Sequence, residues 1–284
     1  MSDFSLDIAS VAETIEIFSM DFMIRAVVVG LFVSVCAALL GVSLVLKRYA
    51  MIGTGLSHIG FAAMIIAGVI DFAPVAFSMV VVVAAAFLLL RLNENSKIKG
   101  DSAVALISTG GLATGVIVMG ITTGITLQIC DILFGNIGIL TITQNDMYFS
   151  VGLSVLVIVV FVLFYKQLFA VTFDETFAKA TGTNVELYKS LLAVLTAVTV
   201  VLGMRMMGAL LITSLTLFPA LSAMRICKRF LSVVIASAII GVVCFGIGIF
   251  FSVSLTLPPG ASIVGVNLIL FTILSGATWV KKSN

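Results

Sequence analysis

Long apolar runs separated by short polar stretches dominate this chain of 284 residues. The runs lie at about 22–46, 51–70, 73–90, 102–123, 147–165, 190–204, 208–224, 230–254 and 262–280. A helix of about 20 apolar residues crosses the ~30 Å hydrocarbon core of a bilayer. The pattern predicts an all-α polytopic integral membrane protein with about eight or nine transmembrane helices. The count depends on 190–224, which forms either two spans or one broken hairpin.

Composition supports this class and excludes others. Hydrophobic residues make up 61% of the chain and charged residues 10%, whereas a soluble fold of this length needs far more polar surface. The net charge of +2 is spread over short loops, so a nucleic-acid partner is not expected. We therefore predict a single transmembrane domain over 1–284, embedded in the lipid bilayer.

Basic residues predict the orientation of the chain. Every lysine and arginine except Arg25 and Arg205 falls on one side of the nine spans, and the positive-inside rule makes that side cytoplasmic. The N-terminus is then outside and the C-terminus inside, in a multi-pass protein of the bacterial cytoplasmic membrane. The outer segment 1–21 carries apolar residues at helical spacing and predicts an amphipathic N-terminus on the membrane surface.

The single histidine of the chain, His58, lies in the second apolar run, about ten residues beyond Lys47 and therefore about 15 Å along a helix. That depth is near the bilayer centre, where a titratable group is costly and is a functional candidate. Thr54 lies one turn away on the same face. Two interpretations fit: a metal ligand in a polar transport path, or a histidine bonded to a neighbouring carbonyl that fixes helix packing.

The cytoplasmic segment 166–189 contains VTFDETFAKATG at its centre. A short helix through Ala180 is predicted, beginning at Thr172 or Phe173, with Glu175 and Lys179 as an i,i+4 ion pair and Gly182 as its stop. Phe173 and Phe177 share one face of it. Such exposed aromatics indicate either a groove on a partner protein or contact with lipid headgroups.

Pro219 lies inside the seventh apolar run, and it removes a backbone hydrogen bond from a membrane helix. This break is compatible with a gate or pore-lining segment, although the segment taken alone favours an ordinary helix kink. The chain contains no G-x-x-x-x-G-K-[ST] motif, no catalytic triad pattern and no series of membrane-embedded carboxylates. We expect a transport subunit rather than an enzyme, with its driving force supplied elsewhere.

Six segments, in order, carry a family resemblance. They are LKRYAMIGTGLSHIGFA, GDSAVALISTGG, ILFGNI, FDETFAKATG, MGALLITSLTLFPALSA and LPPGASIV. Together they resemble the permease subunits of zinc/manganese-type metal ABC transporters, which have a type II-like importer fold. The resemblance implies a homodimer of permeases, cytoplasmic P-loop ATPase subunits, and an extracytoplasmic binding protein that delivers a divalent transition metal. No permanently bound cofactor is implied, since zinc or manganese is the cargo.

The same resemblance assigns roles to residues of this chain. It makes 173–182 the coupling helix seated in an ATPase groove; its coupling residues are Phe173, Asp174, Glu175, Phe177, Lys179 and Gly182. It places the translocation pathway at Thr54, Ser57, His58 and Pro219, with His58 as the metal ligand.

One position departs from the family pattern. The family carries an aspartate four residues before the histidine, and this chain carries Thr54 there. A hydroxyl is an uncharged and weaker ligand for a divalent ion. We therefore hypothesise that the metal site within the membrane is weakened, altered in selectivity or absent.

Other functions remain open at this stage. Iron is a third possible metal, and an ABC permease for a metal chelate or a small organic nutrient is an alternative that Thr54 makes less remote. An ion-coupled secondary transporter would need buried carboxylates that the chain lacks. A membrane scaffold would not explain the glycine-rich polar span around His58.

Overall fold

A computed structural model describes residues 18, 20–95, 100–122, 133, 135 and 143–283. Within those ranges all regular elements are α-helices. They are α1 (Asp21–Leu46), α2 (Ala50–Val69), α3 (Pro74–Asn95), α4 (Gly100–Thr122), α5 (Gln144–Leu163), α6 (Tyr165–Phe173), α7 (Glu175–Ala180), α8 (Val185–Met207), α9 (Ala209–Ile226), α10 (Phe230–Ser254) and α11 (Pro259–Ser283). Most of the predicted amphipathic N-terminus and most of the ILFGNI motif lie outside the described residues.

Among the described residues, eight helices are long and apolar enough to cross a membrane, and α3 adds a shorter apolar stretch, Val75–Arg91. The prediction of an all-α polytopic protein with eight or nine spans is confirmed. The run at 190–224 forms two helices rather than one, because α8 ends at Met207 and α9 begins at Ala209. Gly208 alone joins them, with a φ of 86° that favours glycine.

Helix α1 lies at the centre of the fold and packs against α5, α8, α9 and α10. Its most apolar window is 72% buried, whereas the corresponding window of α11 is only 17% buried. The peripheral helices α4, α5 and α11 therefore present apolar faces outward, which suits hydrocarbon or another membrane subunit. Helix α2 packs between α3, α4, α8 and α9, so its residues meet the interior of the bundle.

The two arginines that break the charge pattern each have a carboxylate partner. Arg25 lies 3.8 Å from Asp21, one turn earlier on α1. Arg205, near the end of α8, donates a 2.8 Å hydrogen bond to Asp146 in the first turn of α5. Asp146 also closes the capping box of α5 with Thr143. Local pairing thus offsets the cost of a positive charge at these helix ends.

Candidate functional site

His58 lies on the face of α2 that meets α4. Its Nδ1 is 2.7 Å from the hydroxyl oxygen of Ser108, a buried residue of α4, and its side chain is half-buried. No described residue forms a hydrogen bond with Nε2. The bond therefore joins two helices and leaves one ring nitrogen without a partner in the described part of the chain.

The tautomer decides what this arrangement does. When Nδ1 carries the proton and donates to Ser108, the lone pair of Nε2 is available to a cation. When Ser108 donates to Nδ1 instead, Nε2 carries the proton and offers no lone pair. The partner is a hydroxyl of another helix, not the carbonyl considered from the sequence. His58 thus contributes to helix packing and, in the first tautomer, retains the capacity to bind a metal.

Close packing of α4 on α2 brings Ser108 within reach of His58. A Cβ added at Gly111 would lie 3.2 Å from the backbone nitrogen of Ile59 and 3.3 Å from the carbonyl carbon and oxygen of His58. Ser108 and Gly111 are three residues apart and so share one helical face. Sequence reasoning quoted both residues within GDSAVALISTGG and missed this role. The spacing of three residues between Ser108 and Gly111 was the sequence signal from which this close helix contact could have been predicted.

Thr54 lines an open cavity of about 400 Å³ between α2, α9 and α11. Thr213 and Ser214 of α9 supply the other two hydroxyls, and the remaining lining is apolar. Ser214 is only 4% exposed, and its hydroxyl has no hydrogen-bond partner among the described residues. The cavity therefore offers neutral oxygen atoms and no carboxylate.

Ser57 and Pro219 do not line this cavity. Ser57 is fully buried and donates a 2.9 Å hydrogen bond to the carbonyl of Thr54 within its own helix. Pro219 is buried inside α9. His58, although one turn from Thr54, contacts α4 and is not part of the cavity lining either. Across the described residues, no group of three or more histidine, cysteine or carboxylate side chains is placed to hold a metal.

The segment 166–189, predicted to be cytoplasmic, forms two helices, so the expected helix from Thr172 or Phe173 to Ala180 was wrong at its start. Phe173 ends α6, and Asp174 is the N-cap of α7. The Asp174 carboxylate accepts hydrogen bonds of 2.9 Å from the backbone of Thr176 and 3.0 Å from that of Phe177. These bonds satisfy donors that the first helical turn leaves open.

Gly182 ends α7 as predicted. Its φ is 82°, its N–H donates to the carbonyl of Lys179, and the N–H of Thr183 donates to that of Ala178. These two bonds are those of a Schellman motif. Both ends of the six-residue helix are therefore held by specific caps, which suits a helix too short to be stable by itself.

Phe173 and Phe177 belong to different helices and do not form the single aromatic face that was expected. The Phe173 ring lies 4.8 Å from that of Phe169 and 5.8 Å from that of Phe230, measured between centroids. Phe173 is nevertheless 58% exposed and Phe177 62% exposed. Two large apolar side chains thus remain open to a partner at this end of the protein.

Glu175 does not pair with Lys179 in the described structure, contrary to the sequence prediction. Its carboxylate lies 3.0 Å from the ammonium of Lys47 and 2.6 Å from that of Lys189. Burial acts to raise the pKa of Glu175, but the hydrogen bonds and charges of Lys189 and Lys47 outweigh it and hold that pKa below its ordinary value. The paired state therefore exists at neutral pH and is lost only as the pH falls through that lowered value.

Comparison with known proteins places this architecture in a family. The model of the ABC 3 transport family matches residues 19–277. The chain belongs to the ABC 3 transport family. It is 27% identical over 258 residues to "Manganese transport system membrane protein MntC" of Halalkalibacterium halodurans, covering 91% of this chain and 88% of the relative. It is 29% identical to "Manganese import system permease protein ScaB" of Streptococcus gordonii, covering 89% and 90%.

Solved structures agree with this membership. PsaBC from Streptococcus pneumoniae in complex with Fab matches with a TM-score of 0.82 and 28% identity, covering 93% of this chain and 94% of that chain. An inward-facing putative metal-chelate type ABC transporter matches with a TM-score of 0.72 at 17% identity, covering 90% and 86%, and shows the fold alone. This member of the ABC 3 transport family is thus a polytopic ABC transporter permease with the helical fold expected from its sequence.

Proposed function

We propose that this chain is the permease subunit of an ATP-driven ABC importer that carries a divalent transition metal, and that this metal is manganese. The observation that carries this proposal is the match, over about nine-tenths of each chain, to two membrane proteins named for manganese transport or import. Zinc and iron are the competing cargoes, and a relative from Haemophilus influenzae, 29% identical over 262 residues, is named a probable iron transport system membrane protein.

The geometry around α2 supports a cation passing without tight binding. His58 offers Nε2, and Thr54, Thr213 and Ser214 offer hydroxyl oxygens in the cavity beside α9. Neutral oxygen suits manganese and imidazole nitrogen binds several divalent transition metals, but without a carboxylate these ligands do not neutralise the charge of the ion. Weak binding favours transport, because a cargo held too tightly is not released. In this proposal Ser57 and Pro219 support the pathway helices rather than contact the cation.

The remaining parts of the proposed importer are partners. Because the chain has no P-loop motif, cytoplasmic ATPase subunits supply the energy, and α7 with its flanking Phe173 and the exposed Phe177 docks into them. The residues that contact the ATPase in this proposal are those assigned from the sequence, except Glu175, whose carboxylate faces Lys47 and Lys189 of the membrane helices. An extracytoplasmic binding protein delivers the metal, and a second copy of the chain completes the permease. The N-terminus lies outside and the C-terminus in the cytoplasm, in the cytoplasmic membrane.

Reconstitution tests the proposal directly. The permease is co-expressed with the P-loop ATPase and the secreted binding protein encoded beside it, and the complex is placed in liposomes that contain ATP. Uptake of radioactive Mn²⁺ is measured, with unlabelled Zn²⁺ and Fe²⁺ as competitors. We expect that uptake requires ATP, the ATPase and the binding protein. We also expect unlabelled Mn²⁺ to reduce the uptake of radioactive Mn²⁺ more strongly than Zn²⁺ or Fe²⁺ does.

Other outcomes would replace the proposal with a named alternative. Uptake driven by an ion gradient without the ATPase would indicate a secondary transporter. Uptake of a chelated metal but of no free cation would indicate a chelate permease. Stronger competition by Zn²⁺ or Fe²⁺ would keep the ABC importer and change its cargo.

A further inference from the structure

A cluster of three charged side chains lies where the cytoplasmic helices meet the membrane helices. Glu175 begins α7, Lys47 is the C-cap of α1, and Lys189 lies in the second turn of α8. One oxygen of Glu175 is 3.0 Å from Lys47 and the other is 2.6 Å from Lys189. A single carboxylate therefore joins three helices that are distant in sequence.

Burial makes this cluster difficult to separate. The side chain of Lys47 is only 4% exposed and that of Lys189 only 8%, whereas Glu175 is 39% exposed. A buried ammonium is costly when its carboxylate partner is removed. Glu175 is a carboxylate that both lysines share, so moving α7 away would take one ionic partner from each of two buried ammonium groups. Helix α7 is therefore bound to α1 and α8 more firmly than its six residues would suggest.

The helices that end at this cluster lead to the candidate pathway. Three residues after Lys47, α2 begins at Ala50, and it carries Thr54 and His58. From Lys189, α8 continues to Gly208, beyond which α9 contributes Thr213 and Ser214 to the cavity. A displacement of α7 that is carried by Glu175 thus has a route to α2 and α9, two of the three helices that line that cavity.

We propose that Glu175 is a positioning residue that transmits movement of α7 to α1 and α8 through its ion pairs with Lys47 and Lys189. This role rests on the proposed function, since an ATPase partner must move α7. It differs from the docking role that the sequence suggested for Glu175, because the carboxylate faces the membrane helices rather than a partner. Loss of the link disconnects ATP hydrolysis from transport instead of preventing assembly.

The test is the number of Mn²⁺ ions imported per ATP hydrolysed by the reconstituted complex. Glu175→Gln keeps the size of the side chain and removes its charge. We expect uptake to fall about tenfold while ATP hydrolysis stays within about twofold of wild type. Glu186→Gln is the matched control, because Glu186 is an exposed carboxylate on α8 and has no ion pair in the described structure. It should retain the wild-type ratio.

A double-mutant cycle separates transmission from stability. Lys189→Met removes one of the two ion pairs and leaves Glu175 paired with Lys47. This variant tests the same link if Glu175→Gln fails to fold. We expect Lys189→Met to lower the number of Mn²⁺ ions imported per ATP. The double variant with Glu175→Gln should have a ratio no lower than that of the more severe single variant, because the effects of changing two contacting residues are not additive. Lys166→Met, at an exposed lysine, should leave the effect of Glu175→Gln unchanged.

Several results would overturn the proposal. A wild-type ratio in both Glu175→Gln and Lys189→Met would do so. So would a parallel loss of uptake and hydrolysis with a lowered melting temperature, because that pattern indicates structural support only. Absence of ATP-dependent uptake by the wild-type complex would instead overturn the proposed function and this inference with it.

Discussion

Two helix contacts of this permease use opposite chemistry. Where α2 meets α4, a neutral imidazole and a hydroxyl, His58 and Ser108, form the polar link within an apolar span. Where α7 meets α1 and α8, Glu175 lies between two ammonium groups. Formal charge is expensive in hydrocarbon, so the contact between the two spans avoids it, whereas the edge of the bundle, cytoplasmic in our proposal, can hold a charged cluster that is partly open to water.

The difference separates two tasks. In the proposed importer, a neutral pathway does not trap a divalent cation, because nothing cancels the charge of the ion by a strong ionic bond. The charged cluster of Glu175 resists separation, and in the same proposal it holds the helices together during movement. Variants that introduce charge into the first region, or alter the apolar surface beside the second, therefore test whether the two chemistries are suited to these tasks.

The largest effect is expected at Phe177, whose side chain is 62% exposed next to the charged cluster. Phe177→Asp places a charge in the apolar ATPase groove that the proposal requires, so uptake should fall about a hundredfold and the ATPase should no longer copurify. Phe177→Leu is the matched control, since it keeps an apolar side chain and should retain most uptake. Normal assembly and uptake in Phe177→Asp would contradict the assignment of α7 as the coupling helix.

A smaller loss is expected at the neutral contact. His58→Ala removes Nε2, and we expect the rate of Mn²⁺ uptake to fall about tenfold to a hundredfold. Ser108→Ala leaves the imidazole without its orienting partner, and such outer-shell changes cost about tenfold. Ser108→Thr keeps the hydroxyl and should restore part of the rate if the helices accept its methyl group. A wild-type rate in His58→Ala would show that this histidine serves helix packing alone.

Adding a carboxylate should change the proposed pathway from weak to strong metal binding. Thr54→Asp places a negative charge in the cavity beside α9, one helical turn before His58 in α2. The purified complex should then retain more Mn²⁺ by elemental analysis, by about one ion per permease at saturation. Thr54→Asn has the same shape without the charge and should not. Equal metal content in Thr54→Asp and wild type would contradict the weakened-site hypothesis.

The fold was largely predictable from sequence because lipid imposes a simple requirement. Each span must satisfy its backbone within one helix and show apolar side chains, so run length alone indicates the spans. The helix ends were less accurate where short-range caps decide them. Asp174 stops α6 and begins α7, whereas apolar periodicity suggested one helix from Thr172 or Phe173 to Ala180.

The site was less predictable because its contacts join residues far apart in the chain. Ser108 lies 50 residues after His58, and Lys47 lies 128 residues before Glu175. Local spacing favoured the Glu175–Lys179 pair, which is adjacent on any helix. The observed pairing depends on which face of α7 meets the bundle, and that is decided by tertiary packing. No periodicity within six residues contains this information.

The smallest effect tests how closely α4 approaches the histidine. Gly111→Val places a side chain against the backbone of His58 and Ile59, where even a Cβ would be within 3.3 Å. Overpacking of this kind costs about 1–3 kcal/mol, so the melting temperature of the purified permease should fall. Gly110→Val is the matched control, because a Cβ there meets nothing within 4 Å. If the neutral link depends on helix approach, Gly111→Val should also reproduce the uptake loss of Ser108→Ala, whereas Gly110→Val should not. Equal melting temperatures and equal uptake rates in the two glycine variants would show that close packing does not position Ser108.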